Sequence, residues 1–572
     1  MTRQHNYWLR KPFSRRTVLR GAAGTTVGAG AFALVGCGND DDDDQPPPAP
    51  DDDSPEATPT PAVSGEPQHG GELTWLISAT PPTLDPYTQT SFVNAYVNGV
   101  SLSRLVRFAA GVPEVEPTDF TMEPDLAETM PETPDELTWR FTLKENAVFH
   151  DVEPTNGRAV TSEDVAYAIN RYKDFDESVH RSLWAFVDNV ETPDERTVVI
   201  HTREPYADTI QIAGGNLASY IVPQEHAESN EVATRMVGSG PFIHESFETD
   251  NLLSWRRNPD FYDDPYPYVD STTVFIVPDQ TQRMEQFISG AVDLTWIHLE
   301  EERDRILDAR PDAGFDSQPG IGGYIYLRTD RPPFNDKRVR QAISMGIDRQ
   351  RIRDAVSAGE GENDQIVFVG YPFATPVDQL GDASRYWDYN PEEARRLLDA
   401  AIGEGETIST TWDHADAAIY QQAYVDTATL SMATLREIGF DIEQREAPYA
   451  QYISTTYQGD YEGMGHSPRA VFYFMDYLTE RLSFADGVRA RINLSYVDDP
   501  RLEDLLVTQR QQFDFEERIE TIREIEQICA EEQYEIYWST QSRSYFWNPA
   551  VQNYRPTAWF PYTHLMKAWK EA

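Results

Sequence analysis

The chain has 572 residues, 40% of them apolar and 12% aromatic, which is past the size at which one hydrophobic core keeps growing and enough to build two or three. Asp and Glu number 96 against 48 Lys and Arg, a formal charge of −48. A field of that sign and size repels nucleic acid and anionic lipid, so both are excluded as direct partners.

Residues 1–37 carry six Lys and Arg and no acid, the charged start of a targeting segment that stands outside the fold. Ser14, Arg15, Arg16, Thr17, Val18, Leu19 and Arg20 resemble a twin-arginine export signal. The apolar stretch from Gly21 to Val35 is too short and too rich in Gly and Ala to span a bilayer. It ends in Leu34, Val35, Gly36, Cys37, which resembles a lipoprotein cleavage box with Cys37 as the acylated new N-terminus. Two acyl chains on that cysteine meet the requirement for stable anchoring. Only Cys529 remains beyond it, so the mature chain has no pair of cysteines to form an internal disulfide.

Residues 38–69 change composition sharply. Asp40 to Asp44, Pro46 to Pro48 and Asp51 to Asp53 cannot bury a core, and charge with proline keeps such a segment extended and disordered, as an acidic tether of roughly 30 Å or more. In the remaining chain the acidic excess is spread through ordinary globular sequence. Lys11, Lys144, Lys173, Lys337, Lys567 and Lys570 are all the lysines, so arginine supplies nearly all positive charge. This balance resembles the proteins of salt-loving archaea, in which high ionic strength screens self-repulsion.

Within the folded region, Gly70 to Ile77 reads as a turn feeding a first strand, and Thr138 to Leu143 and Thr197 to His201 as further strands. Thr161 to Asp164 resembles a capping box that opens a helix with Val165, Ala168, Ile169 and Tyr172 on one face. Asn335 to Gly346 places Val339, Ala342 and Ile343 on another helical face, and Asp348 caps the next helix. Asn390 with Pro391 starts a helix that turns Ala394, Leu397, Leu398 and Ala401 inward. Phe515, Ile519, Ile522, Ile525 and Ile528 mark a long amphipathic helix near the end. Interspersed strands and helices predict an α/β fold with mixed sheets.

Nine segments occur in one order across residues 70–572. They are Gly70–Thr74, Pro82–Pro86, Glu123–Glu128, Leu137–Asp151 ending near Phe149 and His150, Val160–Val165, Gly238–Phe242, Arg257–Tyr262, Gly290–Leu294, and Pro333–Ile343 continued by Ile347–Arg349. Together they resemble the extracellular solute-binding proteins of family 5, the peptide- and nickel-type receptors of ATP-driven importers. The resemblance implies a two-lobed, periplasmic-binding-protein-like clamp with an extra inserted domain. Lobe one is expected at 70–105, 206–315 and 531–572, the inserted domain at 106–205 and lobe two at 316–530. It further implies a monomer that binds a small-molecule or peptide ligand, meets the permease subunits of an ATP-binding-cassette (ABC) importer with their ATPases, needs no cofactor, and touches the outer face of the cell membrane through its lipid anchor alone.

Peptide-binding members carry a segment like G-W-x-x-D-x-x-D-P whose aspartate meets the peptide amine. The corresponding stretch here is Tyr461 to Val471, which lacks the tryptophan and that aspartate and carries Arg469 instead. A buried cation there would favour an anionic or polar ligand, whereas an exposed one would carry no such meaning. Arg328 is a second departure, standing where the family usually has asparagine. The resemblance puts Tyr87, Trp296, Tyr324, Trp412, Tyr449 and Tyr473 near the cleft, where they serve either as stacking surfaces or as plain core. His414 with Asp416 and His466 are not at metal-ligand spacing, so no metal site is expected. A secreted hydrolase is the first rival reading, but no Gly-x-Ser-x-Gly elbow, zincin helix or CxxC pair supports it. Receptors of the same fold for a sugar or a nickel chelate, and a surface component without a ligand, remain as other readings.

Overall fold

Two glycines at the entry and alternating β-formers make Glu72–Ile77 the first strand, β1, with Leu73 and Trp75 buried and Glu72 exposed. The structure is a computed structural model that describes residues 65–571 apart from 90, 216–217, 321, 418–421, 470–473 and 558–561. The expected export signal, Cys37 and most of the expected tether lie outside the described residues.

Helix α1 (Phe92–Ser101) leads into the short antiparallel pair β2 (Val106–Phe108) and β3 (Met122–Pro124). Strands β4 (Glu132–Asp135), β5 (Thr138–Thr142), β6 (Val187–Asp194) and β7 (Thr197–Thr202) then form a sheet of their own, ordered β4-β5-β7-β6. Helix α2 (Ser162–Asp174) packs on it through Val165, Ala168, Ile169 and Tyr172, and its capping box is formed by Thr161 and Asp164. This sheet falls within the span expected for the inserted domain. Strands β8 (Phe242–Glu248), β9 (Leu252–Arg257) and β10 (Ser271–Ile276) complete a mixed sheet in the order β1-β10-β9-β8, with β1 parallel to β10. Helix α3 (Gln280–Ile288), strand β11 (Leu294–Ile297), helix α4 (Glu300–Ala309) and strand β12 (Gly314–Pro319) follow.

The chain then enters a second body. It contains β13 (Gly323–Leu327), α5 (Lys337–Met345), α6 (Arg349–Val356), α7 (Pro391–Ile402), β14 (Ile408–Ala415), α8 (Gln422–Glu437), β15 (Phe440–Ala447), β16 (Met464–Pro468), α9 (Pro500–Gln511), α10 (Phe515–Glu532) and β17 (Glu535–Tyr537). Its five strands are ordered β15-β14-β16-β13-β17. Asp336, Asp348 and Asn390 cap α5, α6 and α7 with their side chains. Arg338 folds back onto Asp336 (2.6 Å), whereas Arg340 reaches Glu532 (3.1 Å). The chain finally returns as β18 (Ser542–Trp547), which lies between β11 and β12, and closes with the ribbon β19 (Val551–Gln552) and β20 (Trp569–Lys570).

Strand pairing moves two of the expected boundaries. Gly314–Pro319 pairs with β18 of the first body, so that lobe runs past 315. Tyr324 pairs with Tyr537, so Glu535–Tyr537 belongs to the second sheet although 531–572 was expected in lobe one. The chain therefore crosses between bodies at 320–322 and again at 538–541. One apolar cluster, centred on Ile325, Val339, Leu398, Trp412 and Leu435, fills the second body. A smaller one, around Met284, Phe287, Ile306 and Phe546, lies behind β11 and β18. The largest runs from Trp75 and Trp139 through Tyr206 to Tyr371, Tyr477 and Phe515, and so joins both bodies.

The two crossing segments touch backbone to backbone. Gly320 N donates to Gln541 O, and a Cβ on Gly320 would sit 2.5 Å from that oxygen. Glycine is needed here for close approach. Gly320→Ala is expected to force the segments apart and to lower the unfolding midpoint in denaturant by an amount corresponding to about 1–3 kcal/mol. An unchanged midpoint would mean that the contact adds nothing to stability.

Candidate ligand cleft

In open α/β sheets, ligands sit outside the carboxyl ends of the strands. Strands β14, β15 and β16 run parallel, and β13 and β16 are antiparallel, so the ends of β14, β15 and β16 lie beside the start of β13 and the end of β17. Both crossing segments therefore leave from that same edge. On the other body they join the end of β12 and the start of β18, and antiparallel pairing puts the end of β11 there too. The two sheets thus meet end to end across the crossing segments, and the residues at these ends form the candidate cleft.

Trp296 stands at the cleft end of β11, half-buried and opposite Tyr545. Tyr449 follows the end of β15 and is also half-buried. Tyr324 is at the start of β13 but is buried, stacked on Tyr537 at 5.9 Å with the Arg481 guanidinium 4.1 Å from its ring centre. Arg469 is the first residue after β16 and is 1% exposed. Its Nη1 donates to Asp364 Oδ2 (2.8 Å) and to the Gln365 carbonyl, and its Nη2 to the Ile366 carbonyl. Asp364 is itself fully buried, and burial raises its carboxyl above the ordinary range despite the opposing guanidinium. The Arg469 charge is therefore answered inside the protein, by a residue 105 positions earlier, and is not presented bare to a solute.

Two expected residues stand apart from this group. Trp412 is completely buried in the second body, with Nε1 donating to His466 Nδ1 at 2.7 Å. Tyr87 is completely buried against Tyr172, ring centres 4.5 Å apart, beneath Arg171. Both act as core. Tyr473 lies outside the described residues. Arg328, the second departure, is buried and forks onto Asp330 (2.7 Å) while stacking on Tyr496 at 3.9 Å. Among the described residues no group of three or more His, Cys, Asp and Glu is placed to hold a metal, and no helix is long and apolar enough to cross a membrane.

The two bodies are pressed together. Asp208, just beyond the inserted sheet, and Arg518 on α10 form a two-pronged ion pair at 2.7 Å on both prongs, each side chain 1% exposed. Around it, Asp476 N donates to Asp208 Oδ2 (2.7 Å), Gln509 Nε2 donates to Asp476 Oδ1 (2.7 Å), and Tyr206 donates its hydroxyl proton to Asp476 Oδ2 (3.0 Å). Phe120 also meets Tyr371 and Phe373 at 5.6 and 5.7 Å. The segment that carries these two rings and Asp364 is held by Glu526 on α10, which accepts from Thr375 N (3.1 Å), the Thr375 hydroxyl and Gln365 Nε2. Sequence reasoning missed Asp208, Asp364, Glu526 and Arg518. Their sign was available only as charged residues inside apolar runs, such as Arg518 and Glu526 on the inward stripe of Phe515–Glu532.

Residues 121–486, more than half of the chain, match the family described as bacterial extracellular solute-binding proteins, family 5 Middle. A di/tripeptide-binding protein 1 of Pseudomonas aeruginosa is 26% identical over 435 residues, 70% of this chain and 76% of the relative. Among solved structures, a periplasmic binding protein, DppA, from Helicobacter pylori in complex with the peptide STSA superimposes with a TM-score of 0.74 at 20% identity, over 88% of this chain and 99% of its own. The binding protein AgaA from A. tumefaciens R10, in complex with agropinic acid, gives 0.73 at 23% identity over 88% and 99%. These likenesses bear out the two-lobed α/β fold.

Burial pushes the Glu526 carboxyl up to about 7 against the hydrogen bonds from Thr375 and Gln365. A carboxyl whose pKa is raised on folding keeps its proton longer in the folded state, so its contribution to stability falls as pH rises from the unfolded value near 4.5 to about 7. Between pH 5 and pH 8 the wild-type chain is expected to lose roughly 2–3 kcal/mol more stability than Glu526→Gln, measured by paired denaturant unfolding. Parallel pH profiles for the two chains would refute the assignment.

Proposed function

Because the chain belongs to the bacterial extracellular solute-binding proteins of family 5, we propose that it is the solute receptor of an ABC importer, closing on a small polar solute and delivering it to the permease. The observation that carries this reading is the end-to-end meeting of two sheets across two short crossing segments, with half-buried aromatic residues at both ends. Such a joint permits hinge closure around a guest. No bond in the guest needs to change, and the chain acts by binding.

A peptide is the first solute class, supported by the names of the relatives. A second reading, a non-peptide solute, is favoured by one feature: between Tyr461 and Arg469 no aspartate stands ready for a peptide amine. The AgaA structure holds a non-peptide solute on the same fold. We further propose export by the twin-arginine route, a lipid anchor on Cys37 and adaptation to high salt, on the N-terminal sequence and the charge balance already described, and a monomeric state, as the family resemblance implies.

Three results would test this. A pool of tri- to pentapeptides is expected to raise the melting temperature, since a ligand at 100 times its Kd adds about 2.7 kcal/mol; silence from peptides, sugars and chelates alike would sink the receptor reading. Asp208→Asn leaves Arg518 buried without its counter-charge, a change that costs about 3–5 kcal/mol in a buried pair, so X-ray scattering should show a larger radius of gyration and binding should weaken. In cells, Cys37→Ala is expected to move the protein from the membrane fraction into the medium.

A further inference from the structure

The joint between the lobes is crossed by charge as well as by backbone. Helix α4 of the first lobe opens with Glu300, Glu301 and Glu302, and Asp304 follows, so Arg303 sits among acids. Its Nη2 donates to Glu300 (2.8 Å) and its Nε to Asp304 (3.0 Å). The remaining nitrogen, Nη1, reaches out of the lobe and donates to Glu360 Oε1 at 2.5 Å.

Glu360 belongs to the second lobe. It lies in the turn after α6, which is closed by Glu360 N donating to the Ser357 carbonyl (2.8 Å) and the Ser357 hydroxyl donating to the Glu360 carbonyl (2.9 Å). The residues that follow are fastened to the crossing segment 538–541. Thr540 N donates to the Glu362 carbonyl (2.8 Å), and Arg353 Nη1 donates to Asn363 Oδ1 (2.9 Å) and the Ser539 hydroxyl (2.7 Å). Gly361 has a φ of +109°, and a Cβ there would fall 1.9 Å from the Thr540 carbonyl oxygen, so glycine alone lets the turn lie this close. The carboxylate is thus built into the second lobe's side of the joint, and the cation into the first's.

This contact has two possible signs. With Arg303 in place, a charge-assisted bond joins the lobes. Without its guanidinium, Glu360 would face Glu300 and Asp304, and like charges at such short range repel. The Arg303 and Glu360 side chains are 13% and 27% exposed, so water and salt reach them, whereas Asp208 and Arg518 are sealed. Ionic strength therefore acts on the first pair far more than on the second.

We propose that Arg303 and Glu360 form an ionic strut across the hinge, which stiffens the joint at low ionic strength and yields as salt rises. The strut stands on the two-lobed fold alone and needs no bound solute. In the salt-rich medium proposed above the joint is thereby loosened, and on dilution it stiffens.

The test is hydrogen exchange at the Gly320 and Thr540 amides of the mature chain without solute. It is run in about 0.1 M and about 1 M sodium chloride, between which the Debye length falls from about 10 Å to about 3 Å. An uncharged osmolyte in both holds the fold, and amides of β5 in the inserted sheet serve as the control that it is intact. At the lower salt, Glu360→Gln should speed exchange at the joint about twofold to fivefold, and Arg303→Gln more, since it exchanges attraction for repulsion. The double variant should exchange no faster than Glu360→Gln alone, because removing Glu360 removes the repulsion too. At the higher salt the gap between the wild type and Arg303→Gln should shrink by at least about half. Equal rates in all four chains, a double variant as fast as Arg303→Gln, or a gap that salt leaves unchanged overturns the strut. None of these touches the receptor reading, which stands or falls on solute binding.

Discussion

The contact of Gly320 with Gln541 is the constraint from which the rest of the architecture follows. Two segments of three and four residues tie two bodies together, and their backbones lie too close for a side chain on residue 320. Because they leave the second sheet where β14, β15 and β16 end, and enter the first where β18 begins, the bodies must face each other through strand ends. Side chains at strand ends, with no further strand residue to cover them, are the natural lining of a cleft.

The fold also carries charge into its interior. Asp208 with Arg518, Asp364 with Arg469 and Glu535 with Arg481 are each nearly or fully buried pairs. Pairs of this kind add little net stability but punish any arrangement that leaves one partner alone, so they act as registers for how the parts meet. Arginine suits this role better than lysine because its fork serves a carboxylate and backbone carbonyls together, as Arg469 does with Asp364, Gln365 and Ile366. In a chain with a formal charge of −48, each hidden arginine also offsets some of the self-repulsion that would otherwise oppose compaction. Arg283 and Arg349 are buried as well but rest on backbone carbonyls and form no ion pair with a described carboxylate.

Local structure was legible where a residue's own chemistry decides its conformation. Thr161 and Asp164, Asp348, and Asn390 with Pro391 all start helices in the places their side chains indicate. The inward stripe of α2 and most of that of α10 are also where the helical period puts them. The short strand Glu535–Tyr537 was not legible, because three residues have no period to read and its partner, Gly323–Leu327, is some two hundred residues away. Trp412 and Tyr87 were placed near the cleft by the family resemblance, but an aromatic residue serves a core as readily as a ligand, and here both are wholly buried.

The amino-acid sequence alone established the class of fold, the order of the helices and strands that carry caps or clear periodicity, and the family resemblance, since all of these are written in nearest-neighbour chemistry and spacing. Tertiary structure alone decided that Arg469 is answered by Asp364, that Asp208 and Arg518 lock the bodies together, and that Arg303 reaches Glu360 across the joint. The reason is physical. The worth of a charge depends on what lies within a few ångström of it and how much water is left, and for these residues that neighbour comes from a remote part of the chain.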